Sequence, residues 1–242
     1  MKVIVTKNYD EMSAVAADMF KDALKAKKDT VLGLATGSTP EGMYANLVAA
    51  YNAGEIDFAE VKSINLDEYY PIKKSDDQSY DYFMRKHLFS HVNMKEENIH
   101  LPNGEAADAN VEAAEYEKLI DTIGGADIQV LGIGRNGHIG FNEPDSFLVP
   151  DTHLTDLTAS TIEANSRFFA SEDDVPKQAL SMGIGSIFKS KKIVVMASGK
   201  EKAEAVKTML SGKITTSCPA TFLMLHRDCT LVCDEAAYSL CK

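Results

Sequence analysis

Residues 30–54 read TVLGLATGSTPEGMYANLVAAYNAG, and the fold turns on how they divide. Residues 30–35 are a short apolar run suited to a strand, and TGSTP is a turn. From Pro40 to Ala53 the pattern becomes helical, and Gly54 closes it. Pro40 suits a first helical position because it has no N–H to leave unpaired there. A strand passing through a glycine turn into a helix is half of a βαβ unit.

The same alternation extends to both sides. Residues 2–6 form a strand rich in β-branched side chains. Asn8 caps the next helix, with Glu11 completing a capping box. Met12, Val15, Ala16, Met19, Phe20 and Leu24 fall on one face of it. Further strands are expected at 62–66, 127–133, 192–197 and 230–233, and helices at 79–91, 107–123, 160–169 and 200–210. Strands alternating with helices imply right-handed crossovers and a mostly parallel sheet with helices on both faces. No repeat or linker interrupts residues 1–242, so the expectation is a single doubly wound α/β domain of Rossmann-like type. Ligands of such folds bind beyond the carboxyl ends of the strands.

Composition narrows the partners. The chain carries 25 basic and 36 acidic side chains, a net charge of −11. That surface repels nucleic acid and anionic lipid, so neither is expected as a partner. The only apolar run in residues 1–12 is 3–5, too short for a signal-peptide core. The four cysteines, Cys218, Cys229, Cys233 and Cys241, lack CxxC spacing and read as reduced, mostly buried thiols of a cytoplasmic protein. His87 and His91 stand i to i+4, as some zinc pairs do, but no third ligand is near in sequence and no metal site is expected.

The chemistry-bearing motifs all fall at strand ends. Gly37, Ser38 and Thr39 combine a permissive backbone, hydroxyls and the N–H groups of a helix start, which suits a phosphate. No GK[ST] follows, so this is not a Walker loop, and a plain strand-to-helix turn capped by Thr39 fits the motif equally well. In residues 65–70, NLDEYY, Asp67 stands where a strand ends and can serve as a general base if shielded from water. Residues 132–144, GIGRNGHIGFNEP, contain a literal GxGxxG, but Asn142 and Pro144 prevent the helix that a dinucleotide fingerprint must open. The better reading puts His138 on a glycine loop with Glu143 in reach of its ring. A carboxylate beside imidazole fixes its tautomer, as acid–base work requires. Arg167 and Lys202, each alone a solvated surface charge, become possible phosphate ligands when placed near strand ends.

Taken together, LATGSTP, INLDEYY, LGIGRNGHIGFNEP, ANSRFF, SGKEKAEAV and PATFLMLH resemble the glucosamine-6-phosphate deaminase family, in its short, non-allosteric form. The likeness runs from about Val31 to Asp234. It implies a cytoplasmic enzyme of amino sugar metabolism and N-acetylglucosamine catabolism that turns glucosamine 6-phosphate into fructose 6-phosphate and ammonia. It makes Asp67 the base at C2 and His138 the ring-opening catalyst, supported by Asn136 and Glu143. It assigns the phosphate to Gly37, Ser38, Thr39, Arg167 and Lys202, and it implies neither metal nor organic cofactor. Some members carry aspartate where this chain has Asn136, which can orient His138 but adds no charge. Residues 146–155 hold no arginine or lysine for an effector phosphate, so a monomer or small homo-oligomer without activation by N-acetylglucosamine 6-phosphate is expected. Two alternatives remain. A 6-phosphogluconolactonase-like hydrolase shares the fold and the glycine-histidine loop, but is not expected to carry NLDEYY or FNEP. A non-catalytic sugar-phosphate sensor would need a DNA-binding segment.

Overall fold

In the computed structural model, residues 1–158, 161–163, 169, 171 and 174–241 are described. In chain order the strands are β1 (Lys2–Thr6), β2 (Val31–Leu34), β3 (Lys62–Asn65), β4 (Asp67–Tyr70), β5 (Ile99–His100), β6 (Ile128–Leu131), β7 (His153–Asp156), β8 (Gln178–Ser181), β9 (Ile193–Ala197) and β10 (Cys229–Asp234). The helices are α1 (Tyr9–Ala26), α2 (Glu41–Asn52), α3 (Tyr80–His87), α4 (Ala109–Ile123), α5 (Ile184–Phe188) and α6 (Ala203–Met209).

Seven strands pair in the order β1-β10-β9-β6-β2-β3-β5, every pair parallel. Four of the five interior strands read as unbroken buried runs, VLGL, IQVL, IVVMA and CTLVCD, because helices cover both faces of such a sheet, and β3 is buried from Ser63 on. Edge strand β1 is more exposed. From β2 the chain steps outward to β3 and β5, then returns to β6 and steps the other way to β9 and β10. The order therefore reverses between neighbours β2 and β6. Both glycine-rich loops leave from the carboxyl ends of that pair, at the switch point where such folds take ligands.

Helix α1 begins as its sequence dictates. Asn8 Oδ1 accepts the Glu11 N–H at 2.9 Å. Glu11 returns the contact to the Lys7 N–H at 3.1 Å, one residue earlier than a strict capping box. Met12, Ala16, Phe20 and Leu24 are buried and α1 packs against α2. Cys218, Cys229 and Cys233 are buried free thiols and Cys241 is half-buried. Among the described residues no helix is long and apolar enough to cross a membrane.

Several expectations shift. Pro40 is the N-cap of α2, not its first helical residue. The 79–91 helix is α3, then Leu88 in a non-helical conformation, then a 3-10 turn at Phe89–His91. The 200–210 helix opens as a 3-10 turn, Lys200–Lys202, before α6. Of the 160–169 helix, residues 161–163 are helical and most of the rest lies outside the described residues. The larger difference is a second sheet, β4-β8-β7, wholly antiparallel. Asp67 does not trail the strand at 62–66; it opens β4 of this other sheet. Leu66 is the joint, donating its N–H to Leu34 O at 2.9 Å and accepting the Met182 N–H at 2.9 Å.

Candidate active site

At the end of β2 the buried Tyr44 hydroxyl grips Ala35 twice, donating to its carbonyl at 2.6 Å and accepting its N–H at 3.2 Å. The chain then turns through Gly37, whose φ of +92° is a left-handed conformation costly for any side chain. The N–H groups of Gly37, Ser38 and Thr39 find no partner among the described residues, and neither do the hydroxyls of Thr36, Ser38 and Thr39. Thr39 does not cap α2. A run of free donors before the N-terminus of a three-turn helix is a good anion cradle.

Asp67 follows Leu66, whose N–H is bound to Leu34 O at the end of β2. It is 5% exposed, and among the described residues no hydrogen bond reaches its carboxylate. Burial, and secondarily the neighbouring Glu68, push its pKa well above the ordinary carboxylate range. Glu68 is differently placed. It accepts the N–H groups of Tyr69, Tyr80 and Asp81 at 2.9, 2.9 and 3.0 Å, holding the start of α3. Burial still outweighs those bonds and lifts Glu68 to about 7.

The second sheet ties Asp67 to the histidine loop. Asp67 faces Ser181 across the β4–β8 ladder. The Ser181 hydroxyl accepts the Phe141 N–H at 3.1 Å, and Asn142 donates its side-chain amide to Met182 O at 2.8 Å. Tyr80 stacks on Phe141 with an interplanar angle of 7°. Leu66 packs against Gly140, two residues beyond His138.

Within the loop, the Gly134 N–H donates to His138 O at 2.9 Å, and the Gly137 N–H to Gly134 O at 3.0 Å. The imidazole lies over Gly134, where a Cβ would come within 2.3 Å of the ring, so glycine is required by space there. His138 Nδ1 stands 3.3 Å from Glu143 Oε2, in contact but not aligned as a hydrogen bond. Asn136 donates to the same Glu143 oxygen at 2.7 Å and accepts the His138 backbone N–H at 3.2 Å. It thus positions the carboxylate and the loop, not the ring itself, and an aspartate here would face Glu143 as a like charge. Thr161 donates to Glu143 Oε1. Burial pushes the Glu143 carboxyl up, but His138, Thr161 and Asn136 outweigh it and hold it at about 2.

The structure therefore gathers Asn136, His138 and Glu143 in direct contact and joins Asp67 to them through Ser181 and Leu66. Lys202 is half-buried in the turn after β9, which neighbours β6, with its N–H on Gly199 O at 3.1 Å. Arg167 lies outside the described residues. Sequence reasoning missed Tyr44, Ser181 and Thr161, which act through tertiary contacts that no local motif announces. His87 and His91 are ordinary, one ring against Phe83 at 4.3 Å and the other on Lys86 O at 2.8 Å.

A parallel α/β sheet with a glycine-built anion loop and an acid–histidine loop at its switch point defines a sugar-phosphate enzyme of the isomerase/lactonase type. Residues 6–232 match the model of the glucosamine-6-phosphate isomerases/6-phosphogluconolactonase family, and the chain belongs to that family. It is 58% identical over 239 residues to the glucosamine-6-phosphate deaminase of Clostridioides difficile (strain 630), covering 99% of this chain and 96% of that one. The Clostridium perfringens (strain 13 / Type A) deaminase is 56% identical over 242 residues, all of both chains. Among solved structures, a monomeric glucosamine-6-phosphate deaminase superposes with a TM-score of 0.97 at 46% identity, covering 99% of this chain and 100% of that one. The 6-phosphogluconolactonase of Leishmania guyanensis shares the fold, with a TM-score of 0.75 at 23% identity over 98% and 97% of the two chains.

Proposed function

We propose that this chain converts glucosamine 6-phosphate and water into fructose 6-phosphate and ammonia, with the following division of labour. The carrying observation is Asp67, a buried carboxylate that accepts no hydrogen bond among the described residues, set one ladder partner away from the loop of His138. The phosphate docks on the Gly37, Ser38 and Thr39 donors, with Arg167 and Lys202 completing its charge balance. His138, held by Glu143 and Asn136, moves a proton from the anomeric hydroxyl to the ring oxygen and opens the sugar. Asp67 then takes the proton from C2, leaving an enolamine conjugated with the former aldehyde oxygen. Protonation at C1 gives an imine at C2. Water adds there and ammonia leaves, which closes the balance. The substrate's own carbonyl delocalises the developing carbanion, so the proposed steps run on these side chains alone.

The acidic surface and unpaired thiols support a cytoplasmic enzyme of amino-sugar catabolism that binds neither nucleic acid nor anionic lipid. The stretch expected to lack an effector site runs beside a groove of about 420 Å³, lined by Lys118 and Asp151 together with Glu117 and Asp121, both of which are paired with Lys189. Residues 146–155 offer no arginine or lysine for an effector phosphate, which supports hyperbolic kinetics unaffected by N-acetylglucosamine 6-phosphate in a monomer or small homo-oligomer. The test is a coupled assay for ammonia and fructose 6-phosphate, run beside 6-phosphogluconolactone hydrolysis. Lactone hydrolysis without ammonia release would overturn the assignment, and binding without turnover would favour a sensor.

A further inference from the structure

We infer that Tyr9 is a positioning residue for the phosphate end of the substrate, acting through the TGSTP loop without touching the ligand. The inference rests on the reading of that loop as the phosphate site. Tyr9 is the first residue of α1, remote in sequence from the TGSTP loop. Its hydroxyl donates to Ser38 O at 2.9 Å and accepts the Gly42 N–H at 2.8 Å. One phenol thus spans the turn and the first turn of α2.

Both bonds bear on anion binding. The Ser38 carbonyl is a partial negative charge within the cradle, and Tyr9 draws it toward α1. Because a trans peptide is planar, its C=O and the following N–H point in opposite directions. Holding the Ser38 carbonyl toward Tyr9 therefore turns the Thr39 N–H away from Tyr9, and that N–H has no partner among the described residues. The Gly42 N–H, otherwise one of the free donors at the helix start, is taken by Tyr9, which fixes α2 against the turn. The approach requires glycine at position 42: a Cβ there would come within 2.9 Å of the Tyr9 ring and 2.5 Å of Ser13 Oγ. A hydroxyl alone can serve as donor to the carbonyl and acceptor from the amide at once.

Tyr9→Phe keeps the ring packing and removes only this bridge. The expected result is a rise of about three- to tenfold in KM for glucosamine 6-phosphate with kcat within about twofold, the size of one or two neutral hydrogen bonds. The inhibition constant for inorganic phosphate, measured as a competitive inhibitor, rises by the same factor. Gly42→Ala, which displaces the ring, gives the same pattern by another route. Unchanged KM and phosphate inhibition in Tyr9→Phe overturn the inference, as does a fall in kcat with KM unchanged. If phosphate does not compete even in the wild-type enzyme, the loop is not the phosphate site, and the inference falls with that reading.

Discussion

Two carboxylates, linked through Ser181 and the histidine loop, are shifted in opposite directions. Glu143 accepts from Asn136 and Thr161, lies beside the His138 ring, and is held at about 2. Asp67 is at least as well buried, yet among the described residues nothing donates to it, and Glu68 adds a like charge. The stability consequences have opposite signs. Glu143, with its folded pKa depressed, stabilises the fold above the unfolded value near 4.5 and loses that contribution as pH falls toward 2. Asp67, with its folded pKa raised, contributes stability at low pH that is lost as pH rises through its folded value. When one site pushes two acids apart in this way, the environments support the roles proposed above, Glu143 to orient and Asp67 to exchange protons.

The hardest test of this division is Asp67→Asn, which keeps shape and removes the base. The expected loss is on the order of 10²–10⁴ in kcat, with substrate affinity little changed. Exchange of the C2 proton with solvent should slow in parallel. Normal exchange in this variant would remove Asp67 from the role.

His138→Gln attacks the other side of the comparison. Its loss, about 10² in kcat on the cyclic sugar, should shrink on an open-chain analogue that cannot cyclise, because in the proposed division only ring opening uses the imidazole. Equal losses on both substrates would merge the two regions into one function and end the comparison.

How far could this contrast be read in advance? Each parallel strand expected from the sequence appears, because β2, β6, β9 and β10 are buried on both faces and so read as unbroken apolar runs. The second sheet was invisible for the opposite reason. β4, β7 and β8 are four residues each; DEYY and QALS bury polar groups that only their partner strands explain, and HLTD is a polar, partly exposed edge strand. The His138–Glu143 contact was legible because it spans five residues of one loop. What separates Asp67 from Glu143 was not, since Thr161 reaches Glu143 from 18 residues away and the bareness of Asp67 is an absence that no motif encodes.

A smaller effect concerns Lys202, the proposed phosphate ligand. Lys202→Ala should raise KM about ten- to a hundredfold, at roughly 1.5–3 kcal/mol for a contact to a charged group. Cyclic and open-chain substrates should suffer alike, and the pH profile should keep its shape. An effect on one substrate only would place Lys202 with one carboxylate rather than with the phosphate. Wild-type KM would make it a surface charge.

The finest test changes no reacting group. Glu68 is a like charge beside Asp67, so it disfavours the Asp67 anion whenever it is itself ionised. A base must be deprotonated to act, so a raised Asp67 pKa makes kcat/KM fall early as pH is lowered. Glu68→Gln removes the neighbouring charge while keeping one oxygen to accept from α3. The Asp67 anion then becomes easier to form, its pKa drops, and the acid limb of kcat/KM moves toward lower pH. Activity on the plateau should hardly change. The variant also leaves an amide where the Asp81 N–H had an acceptor, so its melting temperature should fall, and the profile is best taken well below that point. A limb that moves toward higher pH contradicts the sign of the coupling. A limb that does not move means burial alone sets Asp67, and the contrast with Glu143 would then rest on hydrogen bonding without any help from the neighbouring charge.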